Sequence, residues 1–213
     1  MWLTDSVSAQ LDGWINNFDA EDYNYNYDSL GAALHLSLRN SDYLVGGLVS
    51  YGSNGDYDGS FVSAALEAQH YFDNVTIYGQ AGYTAQVSGD TSPESADAWH
   101  IHAAARYFFN PDLMIEANAG FALVDAFDDR DSQSKWGTRI SWKPSETLPV
   151  GVFLGYQGIN DDWRDGYELT DHTVFAGFNL YFGQGTLLAN DREGATLVDY
   201  NPMFGVNEPW DSY

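Results

Sequence analysis

The sequence predicts an all-β fold, an up-and-down antiparallel barrel of about ten strands. Three observations carry that prediction. Hydropathy alternates with period two along most of the chain, the pattern of a strand with one apolar and one polar face. Most of the alternating stretches hold nine or more residues, long for a globular strand and suited to a tilted bilayer crossing. The connections between them alternate between short and long, as in a meander whose strands return every second pass.

The segments are 7–18, 29–39, 43–52, 60–72, 75–88, 98–109, 113–124, 134–143, 149–157 and 172–182. The first is the weakest, because Trp14 and Asn16 blur its rows. The second carries Gly31, Ala33 and His35 on its polar row, the third Gly46, and the fourth Glu67. In the fifth, Val75, Ile77, Gly79, Ala81, Tyr83, Ala85 and Val87 oppose Thr76, Tyr78, Gln80, Gly82, Thr84 and Gln86. In the sixth, Trp99, Ile101, Ala103, Ala105 and Tyr107 alternate with His100, His102, Ala104 and Arg106. In the seventh, Leu113, Ile115, Ala117, Ala119, Phe121 and Leu123 alternate with Met114, Glu116, Asn118 and Gly120. The eighth and ninth place Gly137, Arg139, Gly151 and Gly155 on the polar row, and the tenth places Gly177 there.

Asp73-Asn74 reads as a two-residue hairpin turn, and Asn110-Pro111-Asp112 as another tight turn. Residues directly opposite in an antiparallel pair share a face. The first turn sets Glu67 opposite Gln80. A turn centred on Pro111 sets Arg106 opposite Glu116. In the eighth and ninth segments, Trp142 opposite Val150 sets Arg139 opposite Phe153. A one-residue slip would mix the rows.

The connections 19–28, 53–59, 89–97, 125–133 and 158–171 are long and hold 18 of the 31 acidic residues but only Arg130 and Arg164 among the bases. One end therefore has tight turns and the other long acidic loops. The formal net charge of -23 excludes nucleic acid as a partner, since phosphates would be repelled. With no cysteine, disulfides and thiol chemistry are excluded too. No run of about 18 apolar residues provides a transmembrane helix. Met1-Trp2-Leu3-Thr4-Asp5 lacks the basic and apolar regions of a signal peptide, so an exported form is expected to be a mature chain.

Periodicity alone does not say which row faces inward, because a soluble sandwich alternates as well. Charges at mid-strand share the polar rows with many small residues, which suit a crowded interior. Aromatics gather at both ends of the apolar rows. Tyr43, Phe72, Tyr107, Phe109, Trp142 and Phe182 lie near the short turns. Tyr51, Phe61, Tyr83, Trp99, Phe121, Trp136 and Tyr156 lie toward the loops, giving two interfacial girdles.

The last segment, with Val174, Ala176, Phe178, Leu180 and Phe182 on its apolar row, resembles the closing strand of small bacterial outer-membrane β-barrels. The resemblance covers residues 7–182 and is one of pattern. It implies a porin-like transmembrane barrel in a Gram-negative outer membrane, with short periplasmic turns and long acidic extracellular loops. It also implies that Phe178, Leu180 and Phe182 form an insertion signal read by the outer-membrane insertion machinery. In the family that aromatic is usually the final residue, whereas here residues 183–213 follow. The expected division is a barrel over 1–182 and a C-terminal periplasmic extension over 183–213. That extension has four possible fates: plugging the mouth, lying along the barrel, binding a neighbouring protein or second copy, or remaining disordered.

Glu67, Glu116, Arg106, Arg139 and His35 are expected to meet as a charge network in the interior, since an unpaired buried ion costs several kcal/mol. Ten strands imply a filled or narrow lumen, because eight are just filled by side chains. His100 and His102 share a face at metal-ligating spacing, but no third ligand is identifiable, so they read as lumen-lining. The stretch from Asn54 through Asp56 and Asp58 to Gly59 is similar to the opening of a calcium loop. Asn54 stands at its first ligand and Ala65 where the closing Glu belongs. With Asp128, Asp129 and Asp131 it forms acidic loops expected to attract Ca²⁺ or Mg²⁺ weakly, as a bridge to lipopolysaccharide phosphates. No resident cofactor is expected. Asp171-His172 faintly resembles the Asp/His pairs of ten-stranded outer-membrane proteases, but adjacent strand residues point to opposite faces, and no enzyme activity is expected.

The resulting reading is a structural, surface-exposed, non-enzymatic outer-membrane barrel in contact with lipid and lipopolysaccharide. A narrow channel for small solutes or ions is the first alternative. A soluble acidic β-barrel binding a small apolar ligand is the second.

Overall fold

The computed structural model describes residues 4, 6–20, 25–54, 59–89, 96–126, 129–145, 147–162, 168–181, 185–194 and 196–198. Ten strands form one antiparallel sheet in sequence order. They are β1 (Val7–Ala20), β2 (Tyr25–Arg39), β3 (Tyr43–Asn54), β4 (Gly59–Tyr71), β5 (Val75–Gly89), β6 (Asp97–Asn110), β7 (Leu113–Ala126), β8 (Asp129–Trp142), β9 (Val150–Asp162) and β10 (Glu168–Leu180). A short helix, α1 (Leu187–Glu193), follows. Among the described residues no ladder joins β1 to β10.

The two faces of the sheet are opposite in character to those of a soluble protein. Leu30, Leu34, Leu36 and Leu38 of β2 are exposed, whereas Ala33, His35, Ser37 and Arg39 between them are buried. Ile77, Ile115 and Leu180 are 44%, 38% and 50% exposed, while Glu67 and Arg139 are 2% and 3% exposed. Polar groups are buried because the sheet rolls over its polar face. Trp14 of β1 packs against a cluster of Phe61 from β4, Ala98 from β6 and Ala122 and Val124 from β7.

Glycines make this crowding sterically feasible. Trp14 pairs with Gly31, His100 with Gly82, His102 with Gly120, Phe175 with Gly155 and Phe153 with Gly177. Each of these five interior rings thus has a glycine directly across the ladder. A Cβ on Gly31, Gly82, Gly155 or Gly177 would run into its partner's ring.

The register confirms Glu67 opposite Gln80 and Arg106 opposite Glu116. The second pairing depends on a bulge. Asn110 pairs with Leu113 across Pro111-Asp112, and Asp112 N donates to Asn110 Oδ1 at 2.9 Å. Continued without change, that turn would set Arg106 opposite Ala117, on the other face. The irregularity between Phe108 and Asn110 absorbs one residue, Phe109, and restores the parity.

Three expectations are corrected. Trp142 pairs with Val152 and Arg139 with Gly155, two residues from the predicted register, which leaves every face unchanged. Val150 and Gly151 pair with Leu180 and Asn179 of β10 but not with β8, so the connection between the paired residues is the nine-residue stretch 143–151 rather than the seven of the predicted register. Phe61 is fully buried on the interior row and belongs to no outer girdle. The strands also run further into the acidic connections than alternation predicts, so that Asp129 and Asp131 lie in β8, paired with Ala126 and Val124. Ladder hydrogen bonding continues there without an apolar row to announce it.

Candidate interior site

Two charge centres line the interior, and the pairing of strands builds both. Thr76, Arg106, Glu116 and Arg139 stand side by side on β5, β6, β7 and β8. Glu116 is therefore flanked by two guanidinium groups. Arg106 Nε donates to Glu116 Oε2 at 2.6 Å, and Arg139 Nη2 lies 3.8 Å from Glu116 Oε1. These three groups alone would leave one positive charge in excess, all within side chains no more than 3% exposed.

The balancing carboxylate comes from outside the sheet. Asp191 of α1 is buried, and its Oδ1 accepts from Arg106 Nη1 at 2.8 Å. Thr76 Oγ1 donates to its other oxygen. Two guanidinium groups of the wall thus face two carboxylates, the pairing that burial of ions requires, and Arg192 Nε lies 3.6 Å from Asp191 Oδ2 besides.

Residues 185–194 and 196–198 run along this wall as a strap. Thr186 caps α1, its Oγ1 accepting from Ala189 N at 3.1 Å. Leu187 packs with Phe108, Met114 and Tyr181. At the short-turn end, Lys143 Nζ donates to Gly185 O at 2.7 Å and to Ser145 O at 2.6 Å. Arg39 Nη1 donates to the carbonyls of Arg192 and Gly194. Arg192 lies over the Tyr71 ring, 4.5 Å from its centroid, and donates to Phe72 O at 2.6 Å. Further in, Arg106 Nη2 donates to Thr196 O at 3.1 Å. Gln10 grips Leu197 at both ends: Nε2 donates to its carbonyl at 2.8 Å and Oε1 accepts from its N–H at 3.1 Å. Gln80 Nε2 and Tyr78 Oη both donate to Val198 O, at 2.8 and 3.1 Å. Leu197 and Val198 bury their side chains against Leu44, Tyr71, Tyr78 and Ala104. Between strap and wall, beside Arg139 and Asp191, a void of only about 20 Å³ remains, room for roughly one water.

The second centre is His35. Its Nε2 lies 2.9 Å from Asp12 Oδ2 and its Nδ1 3.0 Å from Glu67 Oε2. Gln10 Nε2 also donates to Asp12, at 2.8 Å, which ties this centre to the strap. The five charges expected in one network are all buried, but they divide. Glu67 goes with His35 and Asp12, and Asp191 takes the place expected of it beside the arginines. His100 and His102 are both 3% exposed on the interior row. Among the described residues no three His, Cys, Asp or Glu side chains gather as a metal site.

The other candidates lie apart. Asp56, Asp58, Asp128 and Phe182 are outside the described residues, and Asp131 is half-buried on β8. Phe178 and Leu180 face outward, 68% and 50% exposed. At the tip of the β7–β8 hairpin, Arg130 Nε donates to Asp125 Oδ1 at 2.6 Å. That hydrogen bond, and the charge behind it, hold the Asp125 carboxyl below its ordinary range. Asp171 and His172 are both exposed. His172 stacks on Tyr156, whose hydroxyl is 2.8 Å from its Nδ1, so it belongs to an outer aromatic cluster with Trp136. Also on the outer face, a hollow of about 580 Å³ is lined by Ala64, Ala81, Tyr83, Trp99 and Phe121.

Sequence reasoning missed Asp191, Asp12, Gln10 and Thr76. One signal was available for the first: two arginines beside a single glutamate require another anion.

No family model and no curated protein matches the chain. Among solved structures it is similar to OmpT (in-vitro folded), an outer membrane protein of Vibrio cholerae. The identity is 10% and the TM-score 0.46, over 84% of this chain and 81% of that one. It is similar also to a loop L8 deletion mutant of the same protein, at 10% identity and a TM-score of 0.43, over 84% of this chain and 90% of that one. Likeness at this level carries no argument about this chain, whose description rests on its own geometry.

Proposed function

We propose that this chain is an outer-membrane β-barrel protein with a structural, surface-exposed and non-enzymatic role, its interior filled by the strap. The observation that carries the reading is the inversion of the two faces. Leucines, valines and aromatics cover the outside of the sheet, and ion pairs lie within. In water such a surface would aggregate; in hydrocarbon it is the stable arrangement. The reading requires β1 and β10 to pair, because free strand edges cannot be left in lipid. An even number of strands makes that pairing antiparallel. The acidic loops face the cell exterior and take Ca²⁺ or Mg²⁺ as a bridge to lipopolysaccharide. Gel mobility in detergent tests the assignment: unheated protein should run apart from heated protein. A monodisperse protein in detergent-free buffer would refute it and support the soluble reading.

A narrow channel is the second reading, favoured by the polarity of the interior wall. Planar-bilayer recording separates the two. The filled interior predicts no current from the full chain, and none after Arg139→Ala. Steady conductance from the full chain would establish the channel.

A further inference from the structure

We infer that the hollow on the outer face of β4 to β7 seats one acyl chain of a zwitterionic phospholipid, whose head lies on the charged rim directly above it. The inference rests on the membrane reading and goes beyond it, since a wall that merely faces lipid needs no site for a particular one.

The register lays the site out. Leu66, Ala81, Ile101 and Phe121 stand side by side on the outer row of β4, β5, β6 and β7. One outer step toward the loops, Ala64, Tyr83, Trp99 and Leu123 do the same. The two alanines form a floor and the larger side chains rise around it, which leaves a hollow of about 580 Å³. That is the size of a small-molecule site. One outer step the other way, Gly79, Ala103 and Ala119 continue the floor as a shallow trough. An apolar slot running along the strands has the shape of a chain lying beside them. In a bilayer an unfilled hollow forfeits dispersion contacts, so a chain that enters it is favoured over one that passes by.

The rim selects the head. One outer step above Tyr83 and Trp99, Asp97, Asp125 and Arg130 stand side by side on β6, β7 and β8. Arg130 holds Asp125 through two hydrogen bonds, at 2.6 and 2.9 Å, and the Tyr83 hydroxyl donates to Asp97. Among the described residues the rim thus carries two carboxylates and one guanidinium. Arg130 is 64% exposed and can meet a phosphate. The carboxylate in excess calls for an ammonium. A head with both charges satisfies the rim, and an anionic head lacks the second. The same excess argues against a second copy of this chain as occupant, because its Asp97 and Asp125 would be brought against these.

The full-length protein is folded into bilayers of equal parts phosphatidylethanolamine and phosphatidylglycerol. A chelator keeps divalent cations from bridging the anionic head to the acids. The protein is then extracted in mild detergent, and native mass spectrometry counts the lipid it keeps. One phosphatidylethanolamine per chain is expected, favoured over phosphatidylglycerol by roughly 2- to 5-fold, as for an exposed ion pair. Ala64→Leu with Ala81→Leu fills the hollow while keeping the surface apolar, and should abolish retention of either lipid. Asp97→Asn should keep a lipid but lose the preference. Gel mobility of the same samples, heated and unheated, reports the barrel separately. A chain whose mobility does not change on heating fails the membrane reading and takes this inference with it. A heat-modifiable chain that keeps no lipid, keeps it equally with both leucines in place, or prefers phosphatidylglycerol overturns the inference alone. A lipid-free dimer that the two leucines break would give the hollow to a second copy and overturn it likewise.

Discussion

Asp191→Asn is expected to loosen residues 185–198 from the interior while leaving the sheet intact. The side chain keeps its size and an acceptor oxygen but loses the charge that faces Arg106 at 2.8 Å. Hydrogen bonds to charged groups contribute about 1.5–3 kcal/mol. At about 1.4 kcal/mol per tenfold change, release of the strap should become roughly 10- to 150-fold more frequent. Arg106 keeps its bond to Glu116, so β6 and β7 have no reason to part. Arg106→Met acts differently. It takes the shortest ion-pair partner from both Glu116 and Asp191, leaving Arg139 at 3.8 Å from the first and Arg192 at 3.6 Å from the second, and removing one member of a buried ion pair costs about 3–5 kcal/mol. Hydrogen exchange in detergent separates the two cases. In Asp191→Asn, amides of 187–198 should exchange faster and those of β4 to β8 should not. In Arg106→Met, both sets should accelerate. Unchanged exchange of the strap amides in Asp191→Asn would refute the claim that this carboxylate anchors the strap.

Three further outcomes follow from the same geometry. Gly46→Ala should destabilise by about 1–3 kcal/mol in urea, because its Cβ would meet the Leu36 carbonyl oxygen at 2.6 Å and the Ser37 Cβ at 2.7 Å. Gly155→Ala should cost less, since only the far end of the Phe175 ring stands in its way and that ring can turn. The Asp125 carboxyl is lowered by Arg130, so the small stability it contributes is present above the ordinary carboxylate range and is lost as pH falls through the lowered value. Any difference in unfolding midpoint between the unaltered protein and Asp125→Asn should therefore be present at neutral pH and absent in strong acid.

Most of the wall was legible in the sequence, because strand periodicity fixes which residues share a face. Glu67, Arg106, Glu116 and Arg139 all fall on one row by that rule, and two hairpin turns set their neighbours. Phe61 is legible by the same rule, since it stands six residues from Glu67 on β4 and shares its row; its aromatic character alone suggests a girdle, and its packing against Trp14 and Ala98 follows the parity instead. The β8–β9 register differs by two because nothing in the alternation shows that Val150 and Gly151 pair with β10 alone, which lengthens the connection to 143–151. The partition of the charges was not legible. It depends on Asp12, which reaches His35 diagonally across the β1–β2 ladder, and on Asp191, which lies 85 residues from Arg106 and meets it only when the strap enters. The strap itself carries no period-two signal; its place is set by backbone carbonyls, which every residue has.

Which face of the sheet meets lipid decides the proposed membrane assignment. Spin labels placed one at a time from Leu30 to Leu38, in protein reconstituted into bilayers, report contact with oxygen dissolved in lipid and with a nickel chelate dissolved in water. The inverted sheet predicts that labels at Leu34, Leu36 and Leu38 meet oxygen and exclude nickel, and that labels at Ala33, His35 and Ser37 meet neither well. Nickel reaching the leucine positions as readily as a free label would contradict it.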